Sequence, residues 1–101
     1  MEHQDLLSGF IRLHVLHHAV EHEIFGQWMI EELGRHGYRI SPGTLYPMLR
    51  SMEARGYLVS EERRVGRAVR RLYRATPLGE TALGVAREKS RELFGETLEK
   101  R

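Results

Sequence analysis

Residues 41–50 have the sequence Ser-Pro-Gly-Thr-Leu-Tyr-Pro-Met-Leu-Arg, and this stretch decides the fold. Ser41 is a favourable helix N-cap, and Pro42 suits the first helical position, where its missing N–H leaves no hydrogen bond unmade. Apolar residues then recur at helical spacing, and they predict the buried stripe of a helix: Leu45, Met48, Leu49 and Met52. Pro47 removes one backbone hydrogen bond, but the apolar period continues through it. We therefore predict one helix that begins at Ser41 and stops at Gly56.

The opposite face of this helix carries uncharged residues suited to contact with DNA. They are Ser41, Gly43, Thr44, Tyr46 and Pro47, with Arg50 one turn further along. In a helix-turn-helix, the N-terminal residues of the second helix of the pair enter the major groove. Hydroxyl groups there can bond to phosphates or base edges, and a proline ring can contact a thymine methyl group. The alternative interpretation is an ordinary capped core helix.

The sequence on either side of this helix predicts two helices before it, and a hairpin and a helix after it. The predicted helices run from Leu6 to about Val20 and from Phe25 to His36, and the strands from Tyr57 to Ser60 and from Val69 to Ala75, with a turn at residues 64–67. Thr76 and Pro77 begin the last helix by the same cap-and-proline logic. This order predicts a mainly α fold with a small β-hairpin: a winged helix-turn-helix over residues 1–76, followed by a C-terminal helix over residues 77–101 of the same compact unit. The size of the chain and the resemblance described below make this last helix the expected dimerisation helix.

Arginines are concentrated in the predicted hairpin. Six arginines and no acid lie within residues 63–74, although the formal net charge of the chain is only +2. Such a local cluster indicates an anionic partner. We predict that Arg63, Arg64 and Arg67 contact the phosphate backbone or the minor groove as the wing. A solvated hairpin, or a site for an acidic protein in a winged-helix interaction module, are the alternatives.

Three sequence motifs together resemble the PadR-like family of transcriptional regulators. They are residues 41–49 followed by Met52-Glu53 and Gly56-Tyr57-Leu58, the Phe25-Gly26 pair followed by residues 30–33, and residues 76–79, which read Thr-Pro-Leu-Gly. The resemblance extends from about Leu6 to Leu83. It implies a winged-helix fold, DNA contacts by the matching residues of 41–47, and usually repression. It also implies a homodimer formed by the N-terminal and C-terminal helices, and the short C-terminal part resembles the subgroup with one dimerisation helix.

A domain of 101 residues has limited surface to bury, which also favours a partner subunit. Within one chain, the apolar residues of the last helix have too little surface to pack against. We predict a homodimer interface formed by Leu6, Phe10, Leu83, Ala86, Leu93 and Leu98.

The histidines and Trp28 leave two further interpretations open. His14, His18 and His22 recur at every fourth position, a spacing that can bind zinc or nickel on a helix, but a polar helix face is the simpler interpretation, because no carboxylate or cysteine completes an evident ligand set. A metal-gated regulator is therefore an alternative, and no cofactor is otherwise expected. Trp28 fits a core position, or an aromatic ligand in the cavity of a dimer.

Other classes of function are disfavoured. The chain has no Gly-rich phosphate loop, G-x-S-x-G or H-E-x-x-H motif, so we do not expect an enzyme. It has no cysteine, no signal-peptide pattern and no apolar run long enough to span a bilayer. We expect a cytoplasmic regulator whose partners are double-stranded DNA, a second copy of itself and a small-molecule effector that releases it from DNA, with no membrane partner.

Overall fold

The structure is a computed structural model that describes the backbone of residues 3–99 and the side chains of residues 3–96. Its elements, in chain order, are α1 (Gln4–Glu21), α2 (Gly26–Arg35), α3 (Pro42–Ala54), β1 (Leu58–Val65), β2 (Ala68–Ala75) and α4 (Pro77–Glu99). The predicted mainly α fold with one hairpin is confirmed.

Helix α3 begins and ends as its sequence predicts. Ser41 is extended, its carbonyl accepts the first hydrogen bonds of the helix, and Pro42 occupies the first helical position. The Ser41 hydroxyl caps no backbone N–H and instead donates to Thr44 Oγ1 at 3.3 Å. Beyond the last turn, Gly56 has φ +88°, a left-handed conformation that only glycine adopts without strain. Pro47 lies inside the helix, which continues through it.

The hairpin is longer than predicted. Strand β1 continues past Ser60 to Val65, because every residue from Leu58 onward pairs with β2, ending with Val65 opposite Ala68. The predicted turn over residues 64–67 therefore shrinks to Gly66 and Arg67, where Gly66 has φ +63°. The segment between α1 and α2 adds a bridge to the other edge of β2, in which Ile24 and Tyr73 exchange two backbone hydrogen bonds of 2.8 and 2.9 Å.

The core lies where α1, α2 and α3 converge under the base of the hairpin. All four predicted stripe residues of α3 are buried, and the other buried core side chains are Ile11, Val15, Leu16, Ala19, Ile24, Met29, Leu33, Leu58, Tyr73 and Leu83. Phe25 and Trp28 are only partly buried, so the predicted apolar stripe of α2 is narrower than its sequence indicates.

The start of α4 is fastened to the end of α3. Thr76 Oγ1 accepts a hydrogen bond from the Gly79 N–H at 3.0 Å and donates to the Gly56 carbonyl, so one side chain caps α4 and ties it to the preceding turn. A Cβ atom at Gly79 would lie 2.2 Å from the carbonyl oxygen of Tyr57. The Thr-Pro-Leu-Gly motif therefore combines a cap, a helix-starting proline and a close approach between two backbones.

The side chains predicted to form the dimer interface divide into two groups. Leu83 is wrongly assigned, because it is only 4% exposed and is already buried in the core of a single chain. By contrast, Leu6 is 73% exposed, Phe10 and Leu93 are also exposed, and Ala86 is partly buried. The side chain of Leu98 lies outside the described residues. None of the helices in the described part of the chain combines the length and apolarity needed to cross a bilayer.

Candidate nucleic-acid interface

A groove separates α3 from β2 and opens at the first turn of α2. It is lined by Phe25, Gly26, Gln27, Tyr46, Arg50, Glu53, Val69, Arg70, Arg71 and Tyr73. Two of the residues predicted to contact DNA, Tyr46 and Arg50, lie in this groove beside the hairpin. The fold thus brings the predicted reading helix and the arginine-bearing strand to one continuous surface.

Tyr46 is held in this groove by packing against α2. A Cβ atom at Gly26 would lie 2.1 Å from Cε1 of the Tyr46 ring, so the ring rests directly on the glycine backbone. Tyr46 was predicted to lie on the face of α3 opposite the buried stripe, but its ring is partly buried against the core. Gly26 was missed as a site residue, and its position next to Phe25 in the family-like motif was the available signal.

The remaining predicted residues of α3 lie at its N-terminal end or on its outer face. Ser41, Gly43, Pro47 and Arg50 are exposed and Thr44 is partly buried. The Ser41–Thr44 hydrogen bond orients both hydroxyl groups on the first turn. Because a helix N-terminus has free N–H groups and a positive dipole end, this turn can accept a phosphate as well as a base edge.

A hydrogen-bonded network fixes the hairpin relative to α3. The Glu53 carboxylate accepts bonds from the Ser60 N–H at 3.1 Å and the Ser60 hydroxyl at 2.7 Å. Arg71 in turn donates to Ser60 Oγ at 3.1 Å and to Glu62 at 3.2 Å. Glu53 is therefore a positioning residue that the sequence analysis did not assign, because only the folded chain shows that Ser60 lies within its reach.

Arg63, which was predicted to contact DNA, forms ion pairs with carboxylates of its own chain. Its guanidinium donates two hydrogen bonds of 2.8 Å to the Glu23 carboxylate and a third to Glu61. These bonds lower the pKa of Glu23 below its usual range and raise the pKa of Arg63. The charge of Arg63 is thus already neutralised by carboxylates, one of them 40 residues away in the sequence.

Arg64 and Arg67 remain available to an anionic partner. Both are exposed, and neither has an ion-pair partner within the part of the chain whose side chains are described. Because side chains alternate along a strand, Arg64 shares the hairpin side of Ser60 and Glu62, the side that meets α3. On β2, the guanidinium of Arg70 lies 4.6 Å above the ring of Phe25, which directs it toward the mouth of the groove.

The histidines converge in a different set from the predicted one. His14 and His18 of α1 meet His36, which directly follows α2. His22 is not part of this set, although its ring centroid lies 6.0 Å from that of His18, and its Nδ1 bonds to the Glu23 carbonyl at 2.8 Å. The pKa of His14 is lowered by burial and by the nearby His36, and the pKa of His18 is lowered by burial, with Glu32 opposing that shift.

A helix-turn-helix followed by a basic hairpin defines a winged-helix protein, and comparison with known proteins specifies the class. The family described as "Transcriptional regulator PadR-like family" matches residues 15–85. The transcriptional regulator Rv3488 of Mycobacterium tuberculosis is 56% identical over 88 residues, which cover 87% of this chain and 82% of that protein.

Solved structures agree with this classification. A PadR family transcriptional regulator from Eggerthella lenta has a TM-score of 0.82 and 31% identity, covering 96% of this chain and 88% of that chain. A transcriptional regulator from Clostridium thermocellum has a TM-score of 0.82 at 23% identity over 99% and 97% of the two chains, a likeness of fold alone. The chain belongs to the PadR-like family. It is a transcriptional regulator and not an enzyme, and DNA binding follows from that family.

Proposed function

We propose that this regulator binds double-stranded DNA sequence-specifically as a homodimer. In each subunit the first turns of α3 enter the major groove, and the hairpin lies along the phosphate backbone or the minor groove. The observation that carries this proposal is the Glu53–Ser60–Arg71 network, because it makes α3 and the hairpin one surface. On that surface the exposed first turn of α3 and the unpaired Arg64 lie on the same side of the molecule.

The two parts of this surface have different tasks. Thr44 and Tyr46 present hydroxyl groups for base edges, and one correctly placed base contact is worth about 1–3 kcal/mol of discrimination. Arg64 and Arg67 supply charge, which strengthens binding to any duplex and makes it dependent on salt. Arg50 in the groove lies between these regions and is proposed to contact the backbone at the edge of the major groove.

The exposed apolar side chains of α1 and α4 support the homodimer. Leu6 and Phe10 on α1, and Val85, Leu93 and Phe94 on α4, remain exposed in the single chain. Other exposed apolar side chains, Val59, Val65 and Val69, lie on the hairpin, but those of α1 and α4 belong to two helices that pack on each other, and a shared exposed apolar surface is typical of a protein interface. A two-fold dimer places its two recognition helices on half-sites about one helical turn apart, or a multiple of that distance.

We also propose that the dimer acts as a repressor and that an effector releases it from DNA. This part rests on the resemblance to the PadR-like family. A ligand can shift such an equilibrium only if its affinities for the DNA-binding and released states differ.

The direct test is genome-wide footprinting with the purified protein, followed by gel-shift assays on the protected fragments. We expect a small number of protected sites with paired half-sites, bound far more tightly than random duplex. A protein that binds no duplex above the random level, and instead captures acidic protein through its hairpin, would contradict the proposal.

A further inference from the structure

Three imidazoles from two helices converge on one point of the molecule. His14 and His18 lie one turn apart on α1, and His36 occupies the position directly after α2. Their ligand nitrogens all lie within 4.8 Å of one another. The backbone holds His36 in place, because its N–H donates to the Leu33 carbonyl at 3.0 Å.

A carboxylate already lies at the point where two of these rings meet. Glu32 Oε2 is 3.3 Å from His18 Nε2 and 3.1 Å from His36 Nε2. The other oxygen, Oε1, accepts a bond from Arg35 at 2.8 Å, which orients the carboxylate. The Glu32 side chain is only 16% exposed, whereas His36 is 48% exposed, so the set is open to solvent on the side of His36.

Two further aromatic residues, Tyr38 and Trp28, pack against rings of this histidine set. The His14 ring lies 4.8 Å from the His36 ring and 5.2 Å from the Tyr38 ring, between ring centroids. Trp28 packs edge-on against His18 at 5.2 Å. These contacts limit the rotamers of the imidazoles, which lowers the entropy lost when a ligand fixes them.

We propose that His14, His18 and His36 bind a divalent transition metal ion of the zinc class, and that the Glu32 carboxylate, which bonds to the rings of His18 and His36, orients these two ligands. Imidazole and carboxylate are ligands that zinc, cobalt and nickel accept, and the chain has no cysteine to compete for the metal. A zinc–nitrogen distance of about 2.0–2.1 Å in a tetrahedron places the nitrogens roughly 3.4 Å apart. The nitrogens, which lie within 4.8 Å of one another, would therefore have to approach by about 1 Å through side-chain rotation.

The ion would tie α1 to the turn that leads into α3. His36 ends α2, and only the short segment from Gly37 to Ile40 separates it from the N-cap Ser41. A metal that binds only the folded state raises the free energy of unfolding, and this increase grows with the free metal concentration. The proposed site does not depend on DNA binding, and its test requires no DNA.

The chain offers a local reporter for this test. Trp28 is the sole tryptophan and its ring touches those of His18 and His22, so its fluorescence reports binding near either ring, and the His22→Gln variant distinguishes the two. The full chain, purified without a histidine tag and freed of metal with a chelator, is titrated with Co²⁺ and then with Zn²⁺. We expect one Co²⁺ per chain, a visible d–d absorption band, quenched fluorescence, displacement by Zn²⁺ and a higher Tm with either metal.

Matched variants distinguish this site from other arrangements of the same histidines. His36→Gln should weaken binding by more than about 100-fold, and Glu32→Gln by about 10- to 100-fold. His17→Gln and His22→Gln should change it by less than about 3-fold, because neither ring belongs to the proposed set. Circular dichroism establishes that each variant is folded.

Two results would overturn the inference. One is the absence of saturable binding of Co²⁺ or Zn²⁺ at micromolar concentrations by the folded parent protein. The other is binding that survives His36→Gln and is lost in His17→Gln, because the alternative group of His17, His18 and Glu21 lies on α1 alone.

Discussion

At the scale of single residues, the contact between Tyr46 and Gly26 links the folding of the chain to its DNA surface. The aromatic ring fills the space left by the absent Cβ atom at the start of α2. A tyrosine on the outer part of α3 is thereby held in one orientation before DNA arrives. Such preorganisation lowers the entropy lost on binding.

We expect Gly26→Ala to weaken operator binding although residue 26 itself needs no contact with DNA. The new methyl group would displace the end of the Tyr46 ring, which can rotate away into solvent. Operator affinity should fall by about 1–3 kcal/mol, as for the loss of a base contact. In a Tyr46→Ala background the same change should have almost no further effect. Full additivity of the two changes, measured by fluorescence anisotropy, would contradict this coupling.

The arginines of the hairpin provide a second test at this scale. Each arginine that neutralises a phosphate contributes about 0.9 to the slope of log K against log salt. Arg64→Ala and Arg67→Ala should each lower the slope by about that amount on specific and random duplexes alike. Arg63→Ala is the matched control and should leave the slope unchanged, because Glu23 and Glu61 already neutralise its charge. An unchanged slope for Arg64→Ala would remove the hairpin from the interface.

At the scale of elements, the parts predicted correctly are those that local sequence specifies. The start of α3 follows from Ser41 and Pro42, and its end from Gly56, because caps, prolines and left-handed glycines act within one turn. The outer half of the hairpin could not be predicted in the same way. Residues 61–64 are all charged, so β1 has no alternation of apolar and polar residues there, and only pairing with β2 makes it a strand.

The candidate site was predictable to the extent that it depends on one helix. The apolar periodicity of α3 predicts which of its residues face away from the core. The residues that contact Arg63, Tyr46 and Glu53 lie in other parts of the chain, so this periodicity does not reveal them. Nothing in the local sequence around residue 63 indicates Glu23, which the Ile24–Tyr73 bridge brings beside the hairpin. The predicted histidine set contained His22 and not His36 for the same reason, because His36 reaches His14 only when α2 packs on α1.

The joint between α3 and α4 gives a prediction about stability. We expect Gly79→Ala to lower the free energy of unfolding by about 1–3 kcal/mol, because its Cβ would collide with the rigid Tyr57 carbonyl. Gly84→Ala in the same helix is the control, since no atom lies within 4 Å of a Cβ there. It should stabilise the protein by about 0.5–1 kcal/mol through helix propensity. Urea denaturation measures both, and equal effects of the two changes would contradict the close approach.

At the scale of the whole molecule, the single chain is more elongated than a compact domain of its size. Its radius of gyration is 14.7 Å, against about 13 Å for a compact domain of roughly 100 residues. Helix α4 has 23 residues, and the part beyond Leu83 carries exposed apolar side chains. A second copy that covers these residues would complete the core that one chain leaves open.

Leu93→Glu should therefore convert the proposed homodimer to a monomer, because it would bury a charge without a partner in the proposed interface. Val59→Glu is the control, since Val59 has the same 49% exposure as Leu93 but lies on the hairpin. Sedimentation velocity distinguishes the two species. A parent protein that is already monomeric, or a Leu93→Glu variant that stays dimeric, would place the subunit contact elsewhere or remove it.

If α3 reads the base sequence and the hairpin supplies charge, one binding experiment separates these two roles. Parent, Thr44→Ala and Arg64→Ala proteins are titrated at one salt concentration onto a footprinted operator and a random duplex of equal length. Thr44→Ala should weaken operator binding by about 5- to 150-fold, which corresponds to 1–3 kcal/mol, and leave random binding unchanged. Arg64→Ala should weaken both by the same factor. If Thr44→Ala keeps the full preference of the parent for the operator, then the first turn of α3 does not read the sequence.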